Sequence, residues 1–80
     1  MKLPRDIGGQ ELAKLLGRYG YRVTRQTGSH LRLTTIIGGE RHVTIPAHEA
    51  LRVGTLNAIL QEVAIHLKRD RSSIVQELWG

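Results

Sequence analysis

Leu12, Leu15, Leu16 and Tyr19 fall at i, i+3, i+4 and i+7, which puts four apolar side chains on one helical face. The pattern predicts a helix over roughly residues 9–19. It should start near Gly8 or Gly9, with Glu11 in the first turn, where the helix dipole favours an acid. Gly20 is a natural stop, because glycine takes the left-handed conformation that ends helices. Ahead of the helix, residues 1–8 read as an extended lead-in, with Pro4 discouraging helix before it. After Gly20 the apolar period drops to two. The run 21–26 sets Tyr21 and Val23 on one face and Arg22, Thr24 and Gln26 on the other. Thr27-Gly28-Ser29 signals a turn, with Gly28 supplying backbone freedom. The run 30–36 alternates again, Leu31 and Leu33 against His30, Arg32 and Thr34. Gly38-Gly39 marks a hairpin turn. The run 41–46 turns Val43 and Ile45 inward and His42 and Thr44 outward, and Pro46 ends it because proline cannot donate to a ladder.

Residues 47–53 form a connecting loop. From Thr55 a second helix is patterned by Leu56, Ile59, Leu60, Val63, Ala64 and Leu67. Lys68-Arg69-Asp70-Arg71 is a charged break. Ser73 with Gln76 three residues later reads as a capping box that opens a short third helix using Ile74, Leu78 and Trp79. The order is α-β-β-β-α plus a C-terminal helix, an α+β chain whose short turns imply a three-stranded antiparallel meander. Residues 1–80 are expected to form one domain. Helices can cover only one face of such a sheet. The bare face then collects Arg22, Thr24, Gln26, His30, Arg32, Thr34, His42 and Thr44.

Composition narrows the chemistry. With no cysteine among 80 residues, disulfides, thiolate catalysis and cysteine zinc sites are excluded. Aromatics make up 4% with no Phe, which argues against a base-stacking platform. No apolar run approaches the roughly 20 residues of a membrane span, and no signal peptide is visible, so the expected compartment is the cytosol and no membrane partner is expected. The net charge of +5 is unevenly placed. Residues 1–32 carry seven bases (Lys2, Arg5, Lys14, Arg18, Arg22, Arg25, Arg32) against Asp6 and Glu11, whereas the remainder is balanced. Such asymmetry suits a polyanion, most commonly nucleic acid, and equally a solvated basic surface.

The sharpest local feature is Gly28-Ser29-His30. Ser29 can bond nearby backbone or an anion, and His30 opens the second strand beside the turn. Arg25 and Arg32 could hold a phosphate next to the imidazole, with Arg22 and Lys14 as outer members of the basic surface. Histidine is the natural base for a ribose 2′-hydroxyl or acid for a leaving oxygen, and arginine stabilises charge that develops on phosphorus. The same residues also fit a surface histidine at a strand start whose serine serves only the turn. His42 and His48 are either further catalytic or phosphate-contacting groups or, respectively, a solvated strand residue and a loop residue bonded to backbone. His66, on the second helix, reads as structural or exposed, and Tyr21 and Trp79 as core anchors. No histidine pair has the i, i+4 spacing of a zinc protease, so no metal or cofactor is expected. Consecutive strand residues point to opposite faces, which argues against a Ser29–His30 pair acting together. Paired carboxylates and a glycine-rich phosphate loop are absent.

Several segments, in order, carry a resemblance: Leu15-Leu16 with Tyr19-Gly20-Tyr21, then Arg25-Gln26-Thr27-Gly28-Ser29-His30, then Val43-Thr44-Ile45-Pro46-Ala47-His48, then Val53-Gly54-Thr55-Leu56 leading into Ile59-Leu60. Over roughly residues 5–65 the chain resembles the HicA (YcfA-like) family, the small toxins of HicA–HicB toxin–antitoxin pairs. The resemblance implies a fold like the double-stranded-RNA-binding domain. It also implies a ribosome-independent endoribonuclease acting on mRNA, with His30 as the catalytic histidine, and a HicB-type antitoxin that masks it; the scheme requires no metal. Pro46 and His48 look in the family like a structural corner as much as a site. The second helix runs on through Ile65-His66-Leu67, where many members turn at an Ala-Gly pair.

Two other functions fit the residues. One is a non-catalytic module that grips double-stranded RNA by shape, although Gly54-Thr55-Leu56-Asn57 lacks the lysine cluster such a helix start would use. The other is an interaction protein whose basic face docks an acidic partner.

Overall fold

The computed structural model describes residues 3–80. Met1 and Lys2, which belong to the expected lead-in and to the N-terminal group of bases, lie outside the described residues. Helix α1 spans Gly9–Leu16 and tightens into a 3₁₀ turn over Gly17–Tyr19, which together fill the expected helical segment. Gly20 closes it at φ 83°, the left-handed value that glycine tolerates. Three strands follow, β1 (Arg22–Gln26), β2 (His30–Thr35) and β3 (Arg41–Pro46), then helices α2 (Val53–Leu67) and α3 (Arg71–Trp79). The strands form one antiparallel sheet in the order β1-β2-β3. This is the expected α+β arrangement with a C-terminal helix.

The core lies between one sheet face and the helices. Leu12 and Leu16 of α1 meet Leu31, Leu33, Val43 and Ile45 of the sheet and Leu56, Ile59, Leu60 and Val63 of α2, all buried. Ile7, from the lead-in, joins them, and its carbonyl accepts the Leu51 amide at 2.7 Å. Thr35 extends the inward alternation of β2. It is buried and satisfied, its hydroxyl donating to the Tyr19 carbonyl at 3.2 Å and accepting the Ile37 amide at 3.2 Å. Val23 sits in register with Leu33 on the covered face yet stays 45% exposed, on an edge strand whose five residues are all exposed.

Three local expectations are corrected. The second helix starts at Val53 rather than Thr55, with Arg52 in extended conformation ahead of it and the Arg52 carbonyl accepting the Leu56 amide at 2.9 Å. The third helix starts at Arg71 after Asp70, so the Ser73–Gln76 capping box does not form. Ser73 lies inside the helix and its hydroxyl donates back to the Asp70 carbonyl at 2.8 Å. Ile74 and Val75 are the buried residues of α3, while Leu78 and Trp79 only border the core.

Helix α3 packs on α2 and is tied to the far end of α1 through Glu77. The Tyr19 hydroxyl donates to its carboxylate at 2.6 Å, the Arg69 guanidinium holds the same group at 3.0 Å, and Arg18 donates to the Glu77 carbonyl at 2.8 Å. The Arg69 and then the Tyr19 hydrogen bonds pull the Glu77 carboxyl down to about 2. Burial, then the neighbouring carboxylate, pushes the Tyr19 phenol up. His66 is structural: its Nε2–H donates to the Ile37 carbonyl at 2.9 Å, and its ring meets Tyr21 edge-on at 6.5 Å. Among the described residues no helix is long and apolar enough to cross a membrane.

Candidate functional site

The face of the sheet away from the helices is organised in rows that cross the strands. His30 of β2 pairs with Pro46 of β3 at one end. The next outward row holds Arg25, Arg32 and Thr44. The third holds Arg22, Thr34 and His42. Successive outward rows lie roughly 6.7 Å apart, two residues of strand.

The middle row corrects the sequence expectation. Simple alternation turns Arg25 toward the helices and Gln26 outward. The register shifts between Val23 and Arg25, so β1 carries a bulge at Thr24. Beyond the bulge Arg25 faces outward opposite Arg32, and Gln26 pairs with Leu31, on the other face. Thr24 stays outward, its hydroxyl 2.7 Å from that of Thr34. Two like charges directly across strands repel each other. Both guanidiniums are exposed and no acid bridges them among the described residues, which is the electrostatic condition for holding an anion.

His30 is exposed at the strand start. Ser29 Oγ and His30 Nδ1 are hydrogen-bond partners at 2.9 Å, contrary to the opposite-faces expectation, because Ser29 belongs to the turn rather than to the strand. Among the described residues His30 Nε2 has no partner. A hydroxyl both donates and accepts, so Ser29 satisfies Nδ1 whether the proton sits on Nδ1 or on Nε2. His42 differs. Its Nδ1 is 2.7 Å from Thr34 Oγ1 and its Nε2 is 3.2 Å from Glu40 Oε2, so both ring nitrogens are engaged.

The turn is held from behind by the segment after β3. The Ala47 amide donates to the Ser29 carbonyl at 2.9 Å, and Thr27 donates to the His30 carbonyl at 3.0 Å. The Gly9 amide donates to the His48 carbonyl at 2.9 Å, and a Cβ on Gly9 would collide with the Pro46 carbonyl. The start of α1 therefore lies against the Pro46–His48 corner, which in turn holds the Ser29–His30 turn. The His48 side chain is exposed, and its backbone makes the contact. Gly28 is not in the left-handed region, and a Cβ there would meet nothing within 4 Å. Backbone freedom therefore does not explain this glycine. The Gly28 and Ser29 amides carry no acceptor among the described residues.

A family model described as "HicA toxin of bacterial toxin-antitoxin" matches residues 9–65. The chain belongs to the HicA toxin family. The match runs from the first residue of α1 almost to the end of α2, so it contains the His30 turn, both arginine rows and the Pro46 corner, and α3 lies beyond it. No curated protein and no solved structure matches the chain.

Not every candidate is gathered on this face. Arg22, Arg25, Arg32, Ser29 and His30 are brought together, with Gly28 at the turn. Lys14 is exposed on α1, in the layer against the opposite sheet face. Arg18 is likewise committed to Glu77. The basic excess of the N-terminal segment thus divides between the two sides of the molecule. Among the described residues no three His, Asp or Glu side chains converge as a metal site would require. The bulge and the Ala47–Ser29 bond were not legible in the sequence. Thr24 reads as an ordinary strand residue, and a main-chain bond leaves no mark on residue identity.

Proposed function

We propose that this HicA-family toxin is a metal-independent endoribonuclease acting on mRNA, with His30 as its acid–base catalyst. The observation that carries this reading is the Nε2 of His30, without a partner among the described residues and one row away from the exposed Arg25–Arg32 pair. A phosphodiester seated on the two guanidiniums brings its neighbouring 2′-hydroxyl within the imidazole's range. Nε2 takes the 2′ proton as O2′ attacks phosphorus. The P–O5′ bond breaks, and the departing oxygen gains a proton, either from the imidazolium or from water. The products are a 2′,3′-cyclic phosphate and a 5′-hydroxyl end. Arg25 and Arg32 stabilise the extra negative charge on the two non-bridging phosphoryl oxygens, and the Gly28 and Ser29 amides are further donors available to them. Arg22 extends the phosphate contacts along the sheet, and Lys14 contributes only to the wider positive field.

A HicB-type antitoxin is the natural partner for a toxin of this family, and covering the His30 face would silence it. The site of action is the cytoplasm, where mRNA and antitoxin meet. Induced in bacteria without an antitoxin, the wild type should arrest growth and deplete full-length mRNA, whereas His30→Ala should do neither. Arrest that survives the substitution overturns the catalytic assignment.

A further inference from the structure

Beyond Thr34 the outward face continues to Ile36, which is 80% exposed, and next to it Ile37 is 56% exposed. Together with Gly20, Arg22, Thr24 and Thr34 they line an open groove of about 520 Å³ at the β2–β3 hairpin end of the sheet, opposite the β1–β2 turn that carries His30. Apolar side chains this exposed are unusual on an otherwise charged face, and a groove flanked by a guanidinium suits a flat, partly polar ligand. The geometry points to a track for single-stranded RNA along β2, in which this groove receives one nucleobase. The inference rests on the reading of His30 as the reacting end.

Spacing and charge both favour a single strand. The outward rows are separated by roughly 6.7 Å, comparable with the step between successive phosphates of an extended strand. With the scissile phosphate on the Arg25–Arg32 row, one row from His30, the next phosphate in one direction falls at the row of Arg22, Thr34 and His42. The base attached there faces the groove, with the Arg22 plane and Ile36 as its platform. This face has no Tyr or Trp platform, since Tyr19 and Tyr21 are buried and Trp79 lies on α3, so arginine and isoleucine take that role. Arg22, Arg25 and Arg32 complement the phosphates. Glu40, the acid beside this end, is held against His42 Nε2 at 3.2 Å. A duplex has no exposed base to offer, so the groove discriminates against it.

The test uses full-length protein carrying His30→Ala, so that RNA binds without being cut, and labelled single-stranded RNAs of increasing length. Affinity should rise by about tenfold at the length that first supplies the grooved base, the size expected for one base on such a platform. Adding Ile36→Asp or, separately, Arg22→Ala should abolish that step and leave the affinity of shorter strands close to unchanged for Ile36→Asp. Both side chains are exposed, and equal melting temperatures would establish that the fold is intact. A duplex of the same sequence should bind at least tenfold more weakly than the longest strand. The track is overturned if no step occurs, if the step persists in both variants, or if the duplex binds as tightly. Cleavage by the wild type is read separately. Failure of the binding step with intact His30-dependent cleavage removes only the track, and loss of cleavage with an intact step removes only the catalytic reading.

Discussion

Two histidines share the bare sheet face, and what surrounds each separates their roles. His42 is bonded through both ring nitrogens, to Thr34 and to Glu40. Among the described residues His30 is bonded only through Nδ1, to a hydroxyl that tolerates either direction of the proton, so Nε2 can pick up a proton and release it without breaking the contact. On the proposed reading Ser29 is a positioning residue. Ser29→Ala should lower the RNA cleavage rate by about tenfold, the effect of one hydrogen bond worth roughly 1.4 kcal/mol. The loss should fall on kcat rather than KM, and Ser29→Thr, which keeps a hydroxyl, should recover most of it. Equal loss in both variants would mean that the serine serves only the turn.

Among the elements, the corner after β3 matters most to the site. Gly9 lies so close to Pro46 that there is no room for a side chain. Gly9→Ala should cost about 1–3 kcal/mol through overpacking and loosen the Pro46–Ala47 support of Ser29. Urea unfolding should report the first effect and a reduced cleavage rate the second, whereas an unchanged midpoint would show that the corner yields freely. Helix α3 is pinned by Glu77, whose carboxyl titrates at about 2 against an ordinary value of 4.5. A depressed folded value means that the unfolded chain binds the proton more readily. The tether's contribution is then complete above pH 4.5 and lost as the pH falls through 2. Trp79 fluorescence should report loosening of α3 in that window, and Glu77→Gln should remove that pH dependence. An acid profile identical in the two proteins would contradict the assignment.

Most of this element plan was legible in the sequence, because burying one face leaves a period of 3.6 in α1 and α2 and of two in β2 and β3. Reading failed where a local contest had no such signature. Asp70 outcompeted Ser73 as the start of α3, Val53 and Gly54 entered the first turn of α2, and one extra residue in β1 reversed the facing of Arg25 and Gln26. The His30 motif was visible as residue types. That Ser29 touches His30 was not, since the contact depends on where the turn ends and the strand begins.

For the molecule as a whole, the net charge of +5 is less concentrated than its position in the chain suggests. Lys14 and Arg18 belong to the helical side, and the share that stands beside His30 is three arginines in two adjacent rows. The fold leaves one face of the sheet bare and gathers on it the groups that the proposed RNA cleavage would use. Family membership in the HicA toxins agrees with a protein whose activity must be held in check by a partner. The central claim is that His30 carries out the chemistry. Its most direct measurement is the rate at which purified wild type and His30→Ala cleave one defined mRNA in the presence of a chelator, with the ends of the fragments identified. The account predicts cleavage by the wild type to 2′,3′-cyclic phosphate and 5′-hydroxyl ends and a rate lower by about 10²–10⁴ in the variant. Equal rates for the two proteins would contradict it.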